Sequence, residues 1–565
     1  MDTNQLNYYF SKLIITYFSN RGIKYAFVSP GSRNTPISLA LSDQDKIKTH
    51  NIIDERSSAY IALGSFKSNK FPALVVTTSG TAVANLFPAI VEAYMSKTPM
   101  IILTADRPKN LINTGANQTI NQTHIFGNYI NKFFDADFYI QDLKNNQKDD
   151  SKINHLISEA LQISMGFNGG SKGPVHINIP FEKPLHLKHR KSINVSSINS
   201  SDEINYTNNQ SCKINYPDIK NISKPIIICT DVCNLEIITI SERHNIPIFM
   251  DCRGLRFGLK SKNIVSSYDF MFSCLDIKPD MIFRFGSKPI SNKLNNFINN
   301  NKNITYLVHE GKVLNDDAEF IINTNIKGIN NFLIDSKLQV NKSWVDSIIN
   351  YQKLIKDDIN IFFKDPRVHG GYVLNKIISK LPSNSNLMVG NSSPIRDLDK
   401  FTFNLEKKIK IFSNRGASGI DGIISTAIGV SIDQDTVNTL IIGDISFFYD
   451  LSSLINNTNI PLNLNIFILN NQGGHIFDRL KGLSSEEEYE KYWLTPVKID
   501  IKNIASLFNC SYTKIDTSNY NQLDSIVEQV NKKQQGIQLV EIKINSDKHD
   551  LIDKEINKNI KALLV

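Results

Sequence analysis

Two apolar runs of strand length, Ile441-Ile442-Gly443-Asp444-Ile445-Ser446 and Ile468-Leu469-Asn470-Asn471-Gln472-Gly473-Gly474, each break into small and polar residues. In an open α/β sheet this is where a strand gives way to a ligand-binding turn. Asn471 follows Gly443 by 28 residues, room for a strand end, a helix and the next strand. Mg²⁺ takes hard oxygen ligands and shares them with substrate phosphates, so Asp444, the amide oxygen of Asn471 and a backbone carbonyl near Gly473 would suffice to hold one on a diphosphate. Taken alone, the pair is also what two ordinary strand exits in a large α/β protein look like.

A chain of 565 residues, 41% hydrophobic and 21% charged, is long enough for three domains with full cores. Its formal charge of +8 is scattered, with no long basic run and no aromatic interleaving, which argues against a nucleic-acid partner and fits small anionic substrates. Cys212, Cys229, Cys233, Cys252, Cys274 and Cys510 lack metal-finger spacing and read as free thiols of a reducing compartment. The start Met1-Asp2-Thr3-Asn4-Gln5 lacks a signal-peptide layout, and no run approaches ~18 apolar residues. A cytoplasmic protein without a membrane span is expected.

In chain order, the strand Tyr25 to Val28 ends in Ser29-Pro30-Gly31-Ser32-Arg33-Asn34-Thr35-Pro36, a tight turn before a helix near Pro36. Arg33 thus stands at a strand's carboxyl end, either to bind a carboxylate bidentately or to face solvent. Asn51 to Ile53 runs into Asp54-Glu55-Arg56 and a small-residue helix through Gly64. Glu55 reads as a solvated partner of Arg56, as a helix N-terminal acid, or as a functional carboxyl. Ala73 to Thr77 enters Thr78-Ser79-Gly80-Thr81-Ala82, with a helix expected from about Ala84 to Ser96. Pro99 to Ala105 ends in Asp106-Arg107-Pro108, and Gly115-Ala116-Asn117-Gln118-Thr119 follows.

Gly443-Asp444 with Asn470-Asn471 resembles the thiamine diphosphate motif. The runs Ser29 to Pro36, Ser79 to Pro88 and Leu103 to Pro108, with Asn117-Gln118, are similar to the first domain of the 2-succinyl-5-enolpyruvyl-6-hydroxy-3-cyclohexene-1-carboxylate synthases. These are thiamine-dependent enzymes of menaquinone and phylloquinone biosynthesis. The usual third residue of the motif is Gly; Ile445 stands here, and the resembling synthases also vary there. The strand Gly173 to Pro180 closes the first domain, with His176 structural, and Ser192 to Lys213 reads as a linker. From 214 to about 345, short apolar runs alternate with polar segments in a parallel-sheet rhythm, and no G-x-G-x-x-G follows a strand, so no dinucleotide is assigned. In Arg284 to Leu294 the synthases carry a basic residue directly after the Ser; here that position is Asn292, and Lys293 holds the charge, as a substrate ligand or a surface lysine.

Further on, Asn391-Ser392-Ser393-Pro394-Ile395-Arg396 looks like a helix start capped by Ser393, suited to an anion, with Arg396 in its first turn or so. Asn414-Arg415-Gly416-Ala417-Ser418-Gly419-Ile420-Asp421-Gly422 places bulky Ile420 among glycines, and the resemblance makes it the residue that wedges beneath the cofactor and keeps it bent. Ile476, Phe477 and Leu480 match apolar residues that close over the site, and Glu486-Glu487-Glu488 reads as a solvated helix face.

The resemblance implies an α/β fold of three doubly wound parallel-sheet domains: pyrimidine-binding (1–190), a linker (191–213), central (214–345) and diphosphate-binding (346–565). It implies thiamine diphosphate with Mg²⁺ or Mn²⁺, and a homodimer or homotetramer with active sites between subunits. The implied reaction decarboxylates 2-oxoglutarate and adds the succinyl carbanion equivalent to isochorismate in a Stetter-type conjugate addition. Glu55 would bond the aminopyrimidine N1′, and a carboxyl doing so in an apolar pocket should have a raised pKa. The implied cofactor contacts are Glu55, Thr81, Asn85, Ile420, Gly443, Asp444, Ile445, Ser446, Asn471, Gly473, Ile476 and Phe477, the metal ligands Asp444, Asn471 and Gly473. Ser392 and Arg396 go with 2-oxoglutarate, Arg107, Asn117 and Gln118 with isochorismate, and Arg33 and Arg415 between them; Ser32, Lys293, Phe477 and Leu480 complete the substrate contacts. Catalytic roles fall to Glu55, Gln118, Arg396 and Arg415. Two alternatives stay open: another thiamine-dependent 2-oxoacid carboligase or decarboxylase, such as an acetohydroxyacid synthase, and an inactive cofactor-binding regulatory subunit.

Overall fold

Buried parallel strands are apolar on both faces, so they are written in sequence as unbroken aliphatic runs. The computed structural model describes the chain apart from residues 146–149, 168–169, 188–213, 233–234, 255–257, 312–315, 364–369, 402–406, 481, 484, 516–520, 531, 533–534, 545–548 and 565. The linker expected over 191–213 lies outside the described residues, as do Cys212 and Cys233. The chain divides into two compact units: residues 1–210 with 414–433 and 450–462, and residues 211–413 with 434–449 and 463–565.

The first unit is built on β1 (Tyr25–Val28), β2 (Lys48–Asn51), β3 (Leu74–Thr77), β4 (Met100–Asp106), β5 (Lys132–Asp135) and β6 (Pro174–Pro180). All pair in parallel, in the order β2-β1-β3-β4-β6-β5. The order reverses between β1 and β3, where an open sheet places its ligand crevice. His176 lies fully buried in β6, its Nε2 2.6 Å from the Thr104 hydroxyl, in keeping with a structural role. The helix expected from Ala84 to Ser96 is two, Thr81–Asn85 and Phe87–Met95. Pro88 enters the first turn of the second, where its missing N–H is harmless, and the break falls just before it at Leu86.

Helix Glu55–Asn69 packs on helix Ile423–Ser431 through small residues. A Cβ at Gly64 would fall onto the Thr426 carbonyl, and one at Gly429 onto the Ile61 carbonyl. The two backbones therefore touch. Gly429→Ala gains up to ~1 kcal/mol of helix propensity, but the forced separation costs about 1–3 kcal/mol. The net expectation is a lower thermal midpoint, read by calorimetry; an unchanged or raised midpoint would mean that the seam is loose.

The second unit holds two sheets. One comprises β7 (Pro225–Cys229), β8 (Ile248–Met250), β9 (Ile264–Val265), β10 (Met281–Phe285), β11 (Thr305–His309) and β12 (Phe320–Asn323), ordered β12-β11-β10-β7-β8-β9. The other comprises β13 (Ser385–Val389), β14 (Ile409–Phe412), β15 (Asn438–Gly443), β16 (Asn463–Asn470), β17 (Ser511–Ile515) and β18 (Gly536–Lys543), ordered β14-β13-β15-β16-β18-β17. Its connectivity repeats that of the first unit's sheet, with the reversal between β13 and β15. The architecture is thus α/β, three parallel six-stranded sheets with helices. Among the described residues no helix is long and apolar enough to cross a membrane, and no disulfide joins Cys229, Cys252, Cys274 and Cys510.

Candidate active site

In the first unit, loops after β1, β3 and β4 meet. Arg33 is buried, its Nη1 donating to the Phe181 carbonyl at 2.6 Å and its backbone N–H to Thr78 Oγ1 at 3.3 Å. Its Nε is buried without a partner among the described residues. An unmatched guanidinium donor is costly unless a ligand supplies the acceptor. Burial first, and Arg107 second, bring Arg33 down to about 10. The Arg107 guanidinium donates to Ser79 Oγ and, at 3.0 Å, to the Asn117 carbonyl. Gln118, at φ 55°, donates from Nε2 to the Ser79 carbonyl at 3.0 Å. Beneath them Gln122, absent from the sequence reading, is fully buried; its Oε1 accepts from Gly80 N at 2.9 Å and its Nε2 reaches Asn178 Oδ1 at 2.8 Å. Ser32 is exposed on the turn after β1, and Thr81 and Asn85 are exposed on the short helix Thr81–Asn85.

Glu55 opens its helix because Asp54 caps it, the Asp54 side chain accepting from the N–H groups of Arg56 at 3.0 Å and Ser57 at 3.3 Å. Arg56 does not pair with Glu55; it faces Asp450 at 3.7 Å and Asp54 at 4.0 Å. Asp450 is fully buried, and burial lifts it to about 6. The Glu55 carboxylate is half-exposed and accepts no hydrogen bond or ion pair among the described residues. The described residues of this unit leave Glu55 partly exposed, short of the burial expected for it.

The loop 414–422 belongs to the same unit. Asn414 Nδ2 donates to Thr426 Oγ1 at 2.9 Å, the Tyr60 hydroxyl donates to Asp421, and Gly422, at φ 63°, lies against the Tyr60 ring. Arg415 and Ile420 are both half-buried on this loop.

In the second unit, the loops after β13, β15 and β16 carry the other predicted residues. Asp444 is buried; its Oδ1 accepts from Ile445 N at 2.9 Å and its Oδ2 from Gly473 N at 2.9 Å. Burial outweighs those bonds and lifts its carboxyl to about 6. One end of the Asn471 amide lies 3.2 Å from Asp444 Oδ1 and 2.9 Å from the Gly473 carbonyl. With nitrogen there, the amide donates to both; with oxygen there, three hard oxygens converge, the donor set that suits Mg²⁺ or Mn²⁺. The residues present therefore fit a divalent cation. Among the described residues no group of three His, Cys, Asp or Glu forms an alternative metal site. Gly443 leaves open space where a side chain would stand, and Ile445 is half-buried beside buried Ser446. Gly473, at φ 147°, packs its Cα side on the Leu494 carbonyl, where a Cβ would come within 2.5 Å.

Helix Ser393–Phe401 begins one residue before the expected start, after Ser392 in the left-handed region at φ 71°. Arg396 is exposed and donates from Nη1 to the Ser392 carbonyl at 2.7 Å. Ile476 is half-buried and Phe477 exposed on the turn His475–Leu480; the Leu480 side chain lies outside the described residues. Glu486, Glu487 and Glu488 are exposed, as a solvated face requires. Lys293 donates to the Asp269 carbonyl at 3.2 Å and to Ser273, so the structure places it on local partners.

Two domain families match the chain: the thiamine pyrophosphate enzyme N-terminal TPP binding domain over residues 9–125 and the C-terminal TPP binding domain over residues 399–542. Over 580 residues the chain is 31% identical to the 2-succinyl-5-enolpyruvyl-6-hydroxy-3-cyclohexene-1-carboxylate synthase of Listeria innocua serovar 6a, covering 96% of both chains. It is 33% identical over 509 residues to the synthase of the same name from Staphylococcus haemolyticus, covering 88% of both. With thiamine diphosphate-binding domains at both ends and this similarity along nearly its whole length, the chain belongs to the 2-succinyl-5-enolpyruvyl-6-hydroxy-3-cyclohexene-1-carboxylate synthase family.

Proposed function

We propose that the chain decarboxylates 2-oxoglutarate and joins the resulting four-carbon unit to isochorismate, giving 2-succinyl-5-enolpyruvyl-6-hydroxy-3-cyclohexene-1-carboxylate and CO2. The observation that carries the reading is the convergence of Asp444, Asn471 and the Gly473 carbonyl at the ends of β15 and β16, in a chain of this family. Bound thiamine diphosphate supplies the carbanion chemistry. Asp444, Asn471 and Gly473 would hold Mg²⁺ or Mn²⁺, with Gly443, Ile445 and Ser446 beside the diphosphate. Glu55 would hold a proton at the aminopyrimidine N1′, with Thr81 and Asn85 nearby. Ile420, Ile476 and Phe477 would shape and dry the pocket.

Both substrates are dicarboxylates, which suits arginine at sheet-exit turns. Ser392 and Arg396 would take 2-oxoglutarate, Arg107, Asn117 and Gln118 isochorismate, and Arg33 and Arg415 would stand between, with Ser32, Phe477 and Leu480 at the margins. The buried, unmatched Nε of Arg33 supports a carboxylate there. Lys293 is the weakest of these assignments, since Asp269 and Ser273 already engage it. We place the pyrimidine-binding, central and diphosphate-binding domains at 1–190, 214–345 and 346–565, and the protein in the cytoplasm. A homodimer or homotetramer with active sites at subunit interfaces would supply the burial that Glu55 lacks. Exposed Ile53 (62%) and Phe87 (36%) on the unit that carries Glu55 support this.

The test is incubation with thiamine diphosphate, Mg²⁺, 2-oxoglutarate and isochorismate, with mass detection of the adduct and CO2 release compared between 2-oxoglutarate and pyruvate. Preference for pyruvate would place the chain with another carboligase reaction. Arg396→Ala should lower kcat/KM for 2-oxoglutarate by roughly 10- to 200-fold, the worth of a charge-assisted bidentate contact. Unchanged KM and kcat would remove Arg396 from the donor site.

A further inference from the structure

Glu92 lies on helix Phe87–Met95, in an apolar stretch where a carboxylate has no evident business, and it is 2% exposed. Its Oε1 accepts from Gly416 N at 2.9 Å, and its Oε2 from Ala417 N at 2.6 Å and Ser418 N at 3.4 Å. Three successive amides turned inward, with Ser418 left-handed at φ 63°, form the concave nest that proteins use to hold anions. Here the anion is a side chain of the protein itself. The contact is tight: a Cβ on Gly416 would come within 2.6 Å of Ser96 N and 2.7 Å of the Glu92 carbonyl oxygen.

We infer that Glu92 is a positioning residue for the proposed reaction, fixing the loop whose side chains Arg415 and Ile420 face substrate and cofactor. The inference rests on the function proposed above. From the opposite end the loop is gripped by Tyr60, which bonds Asp421 and packs on Gly422. Between the amide nest and that grip only Gly419 and Ile420 remain, so the height of Ile420 is set from both sides. Arg415 immediately precedes the first amide of the nest, so the direction in which its side chain leaves the backbone depends on the same bonds.

Glu92→Gln changes almost no volume but turns one acceptor oxygen into a donor. Whichever way the amide turns, either Gly416 N or the pair Ala417 N and Ser418 N then faces an N–H₂ group. The loop must shift, and a displacement on the order of 1 Å in a catalytic group is worth about 100-fold. The experiment compares wild type and Glu92→Gln, with thermal midpoints, for three readouts. These are kcat with 2-oxoglutarate and isochorismate, Kd for thiamine diphosphate with Mg²⁺ by fluorescence quenching, and the near-ultraviolet circular dichroism of the bound cofactor.

Expected are a kcat loss of about 30- to 100-fold, a Kd changed by less than about threefold because the metal and diphosphate residues are untouched, and an altered cofactor circular dichroism. Gly416→Ala, which pushes the loop off Glu92 while leaving that residue intact, should show the same pattern, and it decides the matter if Glu92→Gln does not fold. Folded variants with wild-type kcat and wild-type cofactor circular dichroism would overturn the inference. So would a loss that merely tracks the unfolded fraction. If wild type makes no adduct, the proposed function fails, while the cofactor circular dichroism still decides the part played by Glu92.

Discussion

Glu55→Gln is expected to lower kcat by about 100- to 10,000-fold, the span that a positioned proton-transfer group contributes, while binding thiamine diphosphate and Mg²⁺ within a few-fold of wild type. In the role proposed for Glu55, the glutamine keeps the shape and a hydrogen bond but could not hold a transferable proton at the aminopyrimidine. The substitution is clean for a structural reason. Asp54 caps the helix, Arg56 pairs with Asp450 and Asp54, and no described residue bonds to Glu55, so neither helix nor packing depends on its charge. The thermal midpoint of the unliganded protein should therefore hardly move. Near-full turnover by Glu55→Gln with cofactor bound would show that another group activates it.

Loss of Asp444 should be nearly as severe. Asp444→Ala removes the one charged oxygen from the convergent set and leaves the Ile445 and Gly473 N–H groups without their acceptor. Outer-shell partners of metal ligands are worth 10- to 100-fold, so a ligand itself should cost at least about 100-fold in cofactor affinity. Chelation with EDTA should silence wild type, and Mg²⁺ or Mn²⁺ should restore it; activity that survives chelation would remove the metal from the scheme. Asp444→Asn separates binding from folding. The raised carboxyl, at about 6, means the folded protein binds the proton more tightly than the unfolded chain does. The charged form then opposes folding, by roughly 3 kcal/mol once pH exceeds that value, and the penalty fades as pH falls through it. At pH 7 without cofactor, relief of that penalty offsets the amide N–H₂ group that must now face either Ile445 N or Gly473 N, so Asp444→Asn should melt within about 4 °C of wild type, yet gain none of the stabilisation that cofactor and metal give the wild type.

Much of the framework could be read from residues because buried parallel strands announce themselves. Leu74-Val75-Val76 and Ile466-Phe467-Ile468-Leu469 are uninterrupted apolar runs, and each ends where a loop carrying proposed site residues begins. Turn chemistry placed Arg33 at a strand exit, but its buried Nε, without an acceptor among the described residues, emerges only from three-dimensional packing. The break at Leu86 shows how a proline can divide a stretch that reads as one helix. Glu92 was invisible for a different reason: its partners are backbone amides some 324 residues away, which leave no mark in the choice of side chains there. A charged residue inside an apolar helical face was the one available signal.

The glycine seam between helices Glu55–Asn69 and Ile423–Ser431 works as a gauge. A helix that slips by one residue along its axis travels about 1.5 Å, which already exceeds what a reacting group tolerates. Gly64 and Gly429 admit only one alignment of the two backbones, since any other brings a side chain onto a carbonyl. Glu55 sits at the first turn of that helix, so its longitudinal setting is calibrated nine residues away, where two backbones meet.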